Sequence, residues 1–347
     1  MTRTRALALL AAGMAIGGGA VALAGPHRPP PLPAAASRPA RAAAWRDPSP
    51  HTARMVRTAP GVRLEVLDWG GDGPPLVLLA GSGNTAHVFD GFAPRFTRGF
   101  HVVGITRRGF GASCCPAGGY DSPTLAADVV AVLDSLGIAR ASFAAHSFGG
   151  SELNWLAVHA PERVERLVYL DAGVDFAELF AGPEWLNGPF PRPSFEGFRN
   201  VPADVTRWLR AFAGPGYPES EVRATSRVEP DGTLGATLRV DSADQKLRGG
   251  ARRAEFKRIR APVLAIYAAP RTAGEKYPWM AELDDEKRAV TERRFAVEER
   301  ILARQRERFR REVPHVTVVE VAGGRHYIFL THPGVVEERM RRFLSHR

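Results

Sequence analysis

Ala145-His146-Ser147-Phe148-Gly149-Gly150 decides the fold. It follows an apolar run, Ala141 to Ala145, and precedes a stretch, Phe148 to His159, that reads as a helix stopped before Pro161. A serine between strand and helix, flanked two positions away by small residues, is the pattern of a nucleophile elbow. The turn is tight, so bulky neighbours would not fit; Gly149 meets that need and Ala145 nearly does. Such a turn lifts the Ser147 hydroxyl out of the sheet, and the helix N-terminus beneath it favours developing negative charge.

The same rhythm recurs on either side. Leu76 to Leu79 follows Gly73-Pro74-Pro75 and reads as a buried strand; His101 to Ile105 is a second, ended by the turn at Arg108-Gly109. Apolar residues at 125, 129, 132, 133 and 136 give a helical period, ended by Gly137. Leu167 to Leu170, Val263 to Tyr267 and Val316 to Val321 read as further strands, and Val335 to Leu344 as a closing helix. Repeated strand–helix units predict an α/β fold, with a mostly parallel central sheet flanked by helices.

Residues 176–256 break the rhythm. They hold Phe180, Trp185, Phe190, Phe195, Phe198, Trp208 and Phe212, many Pro and Gly, and no strong strand. Inserted between two late strands, they predict a helical cap over a pocket, because ligands bind at the carboxyl ends of such strands. Arg207 or Arg210 is expected at the pocket rim. Residues 281–311 carry ten basic and eight acidic residues. They read as the solvated face of a long helix, with pairs such as Glu307 and Arg311 at i,i+4 spacing.

The 347 residues carry a formal net charge of +10. Residues 1–46 contain six Arg and no acidic residue, which leaves +4 for the rest. The basic excess is therefore mostly a property of the N-terminal extension and not a nucleic-acid surface. Arg3 and Arg5 precede an apolar run from Ala6 to Ala24 that ends in Ala22-Leu23-Ala24. This reads as a signal peptide over residues 1–24, implying a secreted or periplasmic protein, with membrane contact only if the segment stays uncleaved. Residues 25–51, rich in Pro and Ala, read as a linker, and 52–347 as the catalytic domain. The two cysteines, Cys114 and Cys115, are adjacent and read as free or partly buried thiols. No Cys/His cluster has metal-ligand spacing.

Four stretches together carry a resemblance. LVLLAGSGN (76–84) resembles the loop after the third strand of the α/β-hydrolase fold superfamily, with Ala80 where most members have His. ITRRGFGAS (105–113) resembles the turn after the fourth strand, AHSFGGSELNWLAVHAPERVERLVYLDA (145–172) the elbow, its helix and the next strand, and VAGGRHYIFLTHPGVVEERMRRFL (321–344) the catalytic-histidine loop and last helix. The resemblance implies Ser147 as nucleophile, His326 as base and acid, and the backbone N–H groups of Ser82 and Phe148 as oxyanion donors. It implies no metal or organic cofactor. The triad acid usually follows the strand matched by APVLAIYAAPRT (261–272), but Arg271 stands there. Some members place it one strand earlier, which points to Asp171, with Asp175, Asp284 and Asp285 in reserve and Glu152 as a supporting group.

A serine at the elbow sets this chain apart from relatives that use aspartate there. The expected activity is carboxylesterase-like, on a small-molecule ester with an apolar part. Two alternatives stand beside it. One is an amidase or proline-iminopeptidase-like hydrolase, which an acidic pair among Asp204, Glu219 and Glu221 would favour. The other is a non-catalytic binding protein that kept the fold.

Overall fold

The computed structural model describes residues 45–113, 116–181 and 191–345. The signal segment 1–24, most of the 25–51 stretch, Cys114, Cys115, Trp185 and Phe190 lie outside the described residues. Ten strands are described: β1 (Thr52–Ala59), β2 (Val62–Gly70), β3 (Pro75–Leu79), β4 (His101–Ile105), β5 (Ala141–His146), β6 (Val164–Leu170), β7 (Ser226–Val228), β8 (Leu234–Thr237), β9 (Val263–Ala269) and β10 (Val316–Ala322). Eight of them form one sheet in the order β1-β2-β4-β3-β5-β6-β9-β10. β2 runs antiparallel to both its neighbours, and the remaining pairs are parallel.

The continuous apolar runs follow from burial on both faces. In β3, Leu76 and Leu78 enter one core, with Phe89, Phe92, Phe96, Phe329 and Met340. Val77 and Leu79 enter the other, with Val129, Leu133, Leu153 and Phe309. Side chains alternate along a strand, so a strand covered on both sides needs an apolar residue at every position. The helices Ser122–Ser135 and Gly149–His159 cover the second face, and the closing helix Pro333–Ser345 the first.

Two features depart from the sequence reading. The hairpin β1–β2 was not among the expected strands. β1 is an edge strand whose side chains are largely exposed, and β2 carries Glu65 and Asp68 within it, so neither shows an apolar run. The cap, expected without strands, contains the short hairpin β7–β8 beside its helices Phe176–Phe180, Pro202–Ala213, Glu219–Thr225 and Ala243–Gly250. The excursion lies between β6 and β9, which are neighbours in the sheet, so it emerges beside the carboxyl end of β6.

The charged segment forms a helix, Asp285–Glu312, but it is not simply a solvated face. Glu298 is buried and pairs with Lys276 at 2.9 Å, while Glu299 bonds Lys276 at 2.8 Å and Arg306 at 2.9 Å. Glu307 pairs with Arg310 at 3.0 Å rather than with Arg311. Among the described residues no helix is long and apolar enough to cross a membrane. Residues 45–51 rest against the domain: Trp69 Nε1 donates to Ser49 Oγ at 2.9 Å, and the His51 ring meets Trp69 edge-on.

Candidate active site

β5 ends at His146, and Ser147 follows with φ +50°, a left-handed conformation rare for a residue with a side chain. The helix starts at once, at Gly149. A Cβ on Gly149 would lie 2.8 Å from the Leu79 carbonyl oxygen, and one on Gly150 2.3 Å from that of Ala172. Glycine is therefore required at both positions by the close approach of backbone from β3 and from the end of β6. Asp171, the residue after β6, has φ +49°, so two adjacent parallel strands end in the same strained way.

His326 lies in the loop after β10 and closes the arrangement. Its Nδ1 is 2.7 Å from Asp171 Oδ2, and its Nε2 is 2.9 Å from Ser147 Oγ. A carboxylate accepts, so Nδ1–H donates to Asp171 and leaves the Nε2 lone pair to accept the serine hydroxyl. Asp171 Oδ1 also accepts from the Ala268 N–H at 3.1 Å, which fixes the carboxylate to β9. Burial pushes the Asp171 carboxyl up, but the bond and charge of His326, with Lys276 and Arg306 beyond, outweigh it and hold the group below its ordinary value. Asp171 therefore stays ionised.

The reserve acids are occupied elsewhere. Asp175 is buried, caps the helix Phe176–Phe180 by accepting from Glu178 N–H at 3.1 Å, and pairs with Arg308 at 3.1 Å. Asp284 caps the helix Asp285–Glu312, and the Asp285 side chain is 99% exposed beside Arg288. Arg271, in the usual acid position, bonds Glu275 at the surface.

A buried shell supports the site. Arg107 donates to the carbonyls of Ala80 at 2.7 Å and Gly81 at 3.1 Å, and its Nε bonds Glu152 on the elbow helix. The Glu152 carboxyl is raised by burial, which Arg107 partly offsets. The loop carrying Ser82 is thus tied to the helix that follows Phe148. Ser82 Oγ donates to Asp244 of the cap at 2.6 Å. Asn84 donates to Glu221 at 2.9 Å and accepts from Tyr327 at 2.9 Å, beside His326. Thr85 N–H also donates to Glu221 at 3.0 Å. His146 Nε2 faces the His326 carbonyl at 3.0 Å and must donate to it; burial, with the nearby His326, holds this ring well below its ordinary pKa, so it is neutral. Of these groups the sequence singles out Ser82 as an oxyanion donor and Glu152 as a supporting group, and Glu221 only as one of the cap's acids. Arg107 was visible as part of a turn, but nothing local shows that its guanidinium spans from β4 to the loop after β3.

A cavity adjoins the imidazole side, lined by Asp171, His326 and Tyr327. Val174, Phe176, Leu179, Phe212 and Trp279 give it apolar walls, and Arg192 and Arg325 also face it. Arg207 and Arg210, expected at the rim, are engaged elsewhere: Arg207 with Asp204 and the Phe198 ring, Arg210 with the Tyr217 carbonyl.

Over 215 residues the chain is 29% identical to 3-oxoadipate enol-lactonase 2 of Acinetobacter baylyi, covering 61% of this chain and 77% of that one. Over 186 residues it is 36% identical to 2-hydroxymuconate semialdehyde hydrolase of Pseudomonas putida, covering 50% and 65%. Other relatives are matched over smaller shares of their length, 59% for epoxide hydrolase A of Mycobacterium tuberculosis and 44% for a non-heme chloroperoxidase of Streptomyces lividans. The crystal structure of E-2-(acetamidomethylene)succinate hydrolase superposes with a TM-score of 0.61 at 19% identity, covering 85% of this chain and all of that one, a likeness of fold. Residues 76–339 match the sequence profile described as the alpha/beta hydrolase family. With that match, and a sheet and strand–turn–helix elbow of the expected kind, the chain belongs to the alpha/beta hydrolase family.

Proposed function

We propose that this protein is a serine hydrolase that cleaves a carboxylic ester through an acyl-enzyme on Ser147. The observation that carries this reading is the hydrogen-bonded series Ser147–His326–Asp171. His326 takes the serine proton as Oγ bonds the carbonyl carbon, and passes it to the departing alcohol oxygen as the C–O bond breaks. Water then gives a proton to the same imidazole as it bonds the acyl carbon, and the imidazolium passes that proton to Ser147 Oγ as the acyl C–O bond breaks and the acid leaves. Asp171 holds the Nδ1–H tautomer and stabilises the imidazolium. Among the described residues, neither the Ser82 nor the Phe148 backbone N–H donates to another backbone group, which suits both to the charged oxygen of the tetrahedral intermediate.

Relatives named as lactonase, epoxide hydrolase and semialdehyde hydrolase support hydrolysis in general. The choice of an ester rests on the serine and on the ease with which an alcohol leaves. The amine-recognising alternative loses support in the cap: Asp204 is paired with Arg199 and Arg207, Glu219 with Arg223, and Glu221 is buried against Asn84 and Thr85. The cavity's apolar walls suit an apolar substrate part. Arg192 and Arg325 form no ion pair with a described residue, which suits an anionic group at the same substrate.

A fluorophosphonate probe tests the reading. Labelling of the wild type that disappears in Ser147→Ala is the expected result, together with hydrolysis of p-nitrophenyl esters in preference to the anilides. Folded wild-type protein that takes up no probe would overturn it. We also propose export, supported by the basic, apolar and small-residue order of residues 1–24. The exported protein should then begin at Gly25, and a chain recovered only from the cytoplasm with Met1 intact would refute this.

A further inference from the structure

We propose that Asp47, His51, His87 and Asp90 form a zinc-type metal site that clamps the segment before β1 to the loop following the Ser82 turn. One donor atom from each residue lies within 4.8 Å of the other three. His51 Nδ1 is 2.8 Å from Asp90 Oδ1, and His87 Nδ1 is 3.1 Å from Asp90 Oδ2. Asp47 Oδ2 is 3.7 Å from His87 Nδ1 and 3.9 Å from His51 Nε2. Four donors at zinc's bond lengths stand about 3.4 Å apart in a tetrahedron. With one donor atom from each residue all four lie within 4.8 Å, wider than that edge, and His51 meets Asp90 through Nδ1 but Asp47 through Nε2, so side-chain rotation must draw the set together around an ion.

Three further observations point to a cation. His87 turns its other nitrogen, Nε2, toward Glu65 Oε1 at 3.6 Å. A carboxylate behind the second ring nitrogen is the arrangement that orients a metal-bound imidazole. Glu65 is itself held, accepting from Thr106 Oγ1 at 2.8 Å. Second, the carboxylates of Asp47, Glu65 and Asp90 pair only with His51 and His87, and no Lys or Arg among the described residues neutralises them. Third, the four ligands are half-buried or buried on a shared face that also holds Trp69, so the charges are not simply dissolved in water.

The donor set indicates the ion. Two imidazoles and two carboxylates, with no thiolate, suit Zn²⁺ better than Cu⁺, and the nitrogens disfavour Ca²⁺ and Mg²⁺. All four positions are filled by protein, which is the form of a structural site rather than a catalytic one. Its placement gives it a purpose. Ser220 of the cap helix Glu219–Thr225 donates to Asp90, and the next residue, Glu221, holds Asn84 and Thr85. An ion there would join the N-terminal segment, the loop that carries Ser82 and the cap. The sequence hides the site because it is split into an i,i+4 pair and an i,i+3 pair some forty residues apart.

Full-length protein stripped with chelator and titrated with Zn²⁺ tests the proposal. Calorimetry should read close to one equivalent, and the melting temperature should rise by roughly 3–8 °C at saturation. His51→Gln with His87→Gln should abolish both effects, and Glu65→Gln should weaken binding about 10–100-fold. Co²⁺ added to unmutated protein should give the intense visible bands of a four-coordinate nitrogen–oxygen site, a readout that does not depend on the variants folding. Stripped wild type that takes up no Zn²⁺, Zn²⁺ binding unchanged in the folded double variant, or a Co²⁺ spectrum of six-coordinate aqueous type would each overturn it.

Discussion

Ser147 and Asp171 share a backbone conformation that side-chain-bearing residues adopt at a cost of about 1–3 kcal/mol. Each stands one residue past the end of a parallel strand, and each meets His326. The strain aims both side chains at one imidazole. With Arg271 in the usual acid position, the family resemblance points to Asp171, because some members place the acid one strand earlier; its hydrogen bond to His326 answers why the usual position can be spared. Asp171→Asn should lower kcat for a p-nitrophenyl ester by about 10⁴-fold, because an amide in place of the carboxylate permits the wrong histidine tautomer. Glu275→Gln, on the surface ion pair with Arg271, should leave turnover within a few-fold of wild type. A near-normal rate in Asp171→Asn would remove the residue from the proposed triad.

At the scale of elements, the site depends on how loops are fastened to helices. Arg107 and Glu152 are both buried, and together they join the end of β4, the loop after β3 and the elbow helix. Removing one partner leaves the other charge without compensation. Arg107→Ala should therefore reduce unfolding free energy by about 3–5 kcal/mol, measured by denaturant titration. Replacing both partners, Arg107→Met with Glu152→Met, should restore most of that loss, since no lone buried charge remains. A single-variant loss below about 1 kcal/mol would show that the clamp is not held this way. The elements themselves were legible wherever burial on both faces writes an apolar run, as in β3, β4, β5 and β9. They were not legible in β1, whose outward side chains follow solvent rather than the core, nor in β7 and β8, too short to show a period.

For the whole molecule, the join between cap and core makes stability depend on pH. Burial pushes the Glu221 carboxyl up to about 7 from 4.5, even though Thr85 and Asn84 donate to it. Below pH 4.5 the group is protonated in folded and unfolded chains alike, and its contribution is fully present. As pH rises from 4.5 to 7 the unfolded chain ionises first, so stability falls by roughly 3 kcal/mol and then levels off. The melting temperature of wild type should decline across this window, and Glu221→Gln, which cannot ionise, should lack that part of the decline. Parallel slopes in the two proteins would show that Glu221 ionises freely in the folded state.

The sequence by itself determined the α/β class, the elbow at Ser147, the histidine after the last strand and the place of the cap. Each of these is local: an apolar run, a tight turn or a short motif expresses its own geometry within a dozen residues. Only the tertiary structure decided that Asp171 rather than Asp175, Asp284 or Asp285 meets His326, that Arg107 grips the loop after β3, and that Asp47 and His51 come to rest beside His87 and Asp90. Those contacts join residues far apart in the chain. What sets them is strand order and the direction in which each strand end releases its next side chain, and neither is written in the residues concerned.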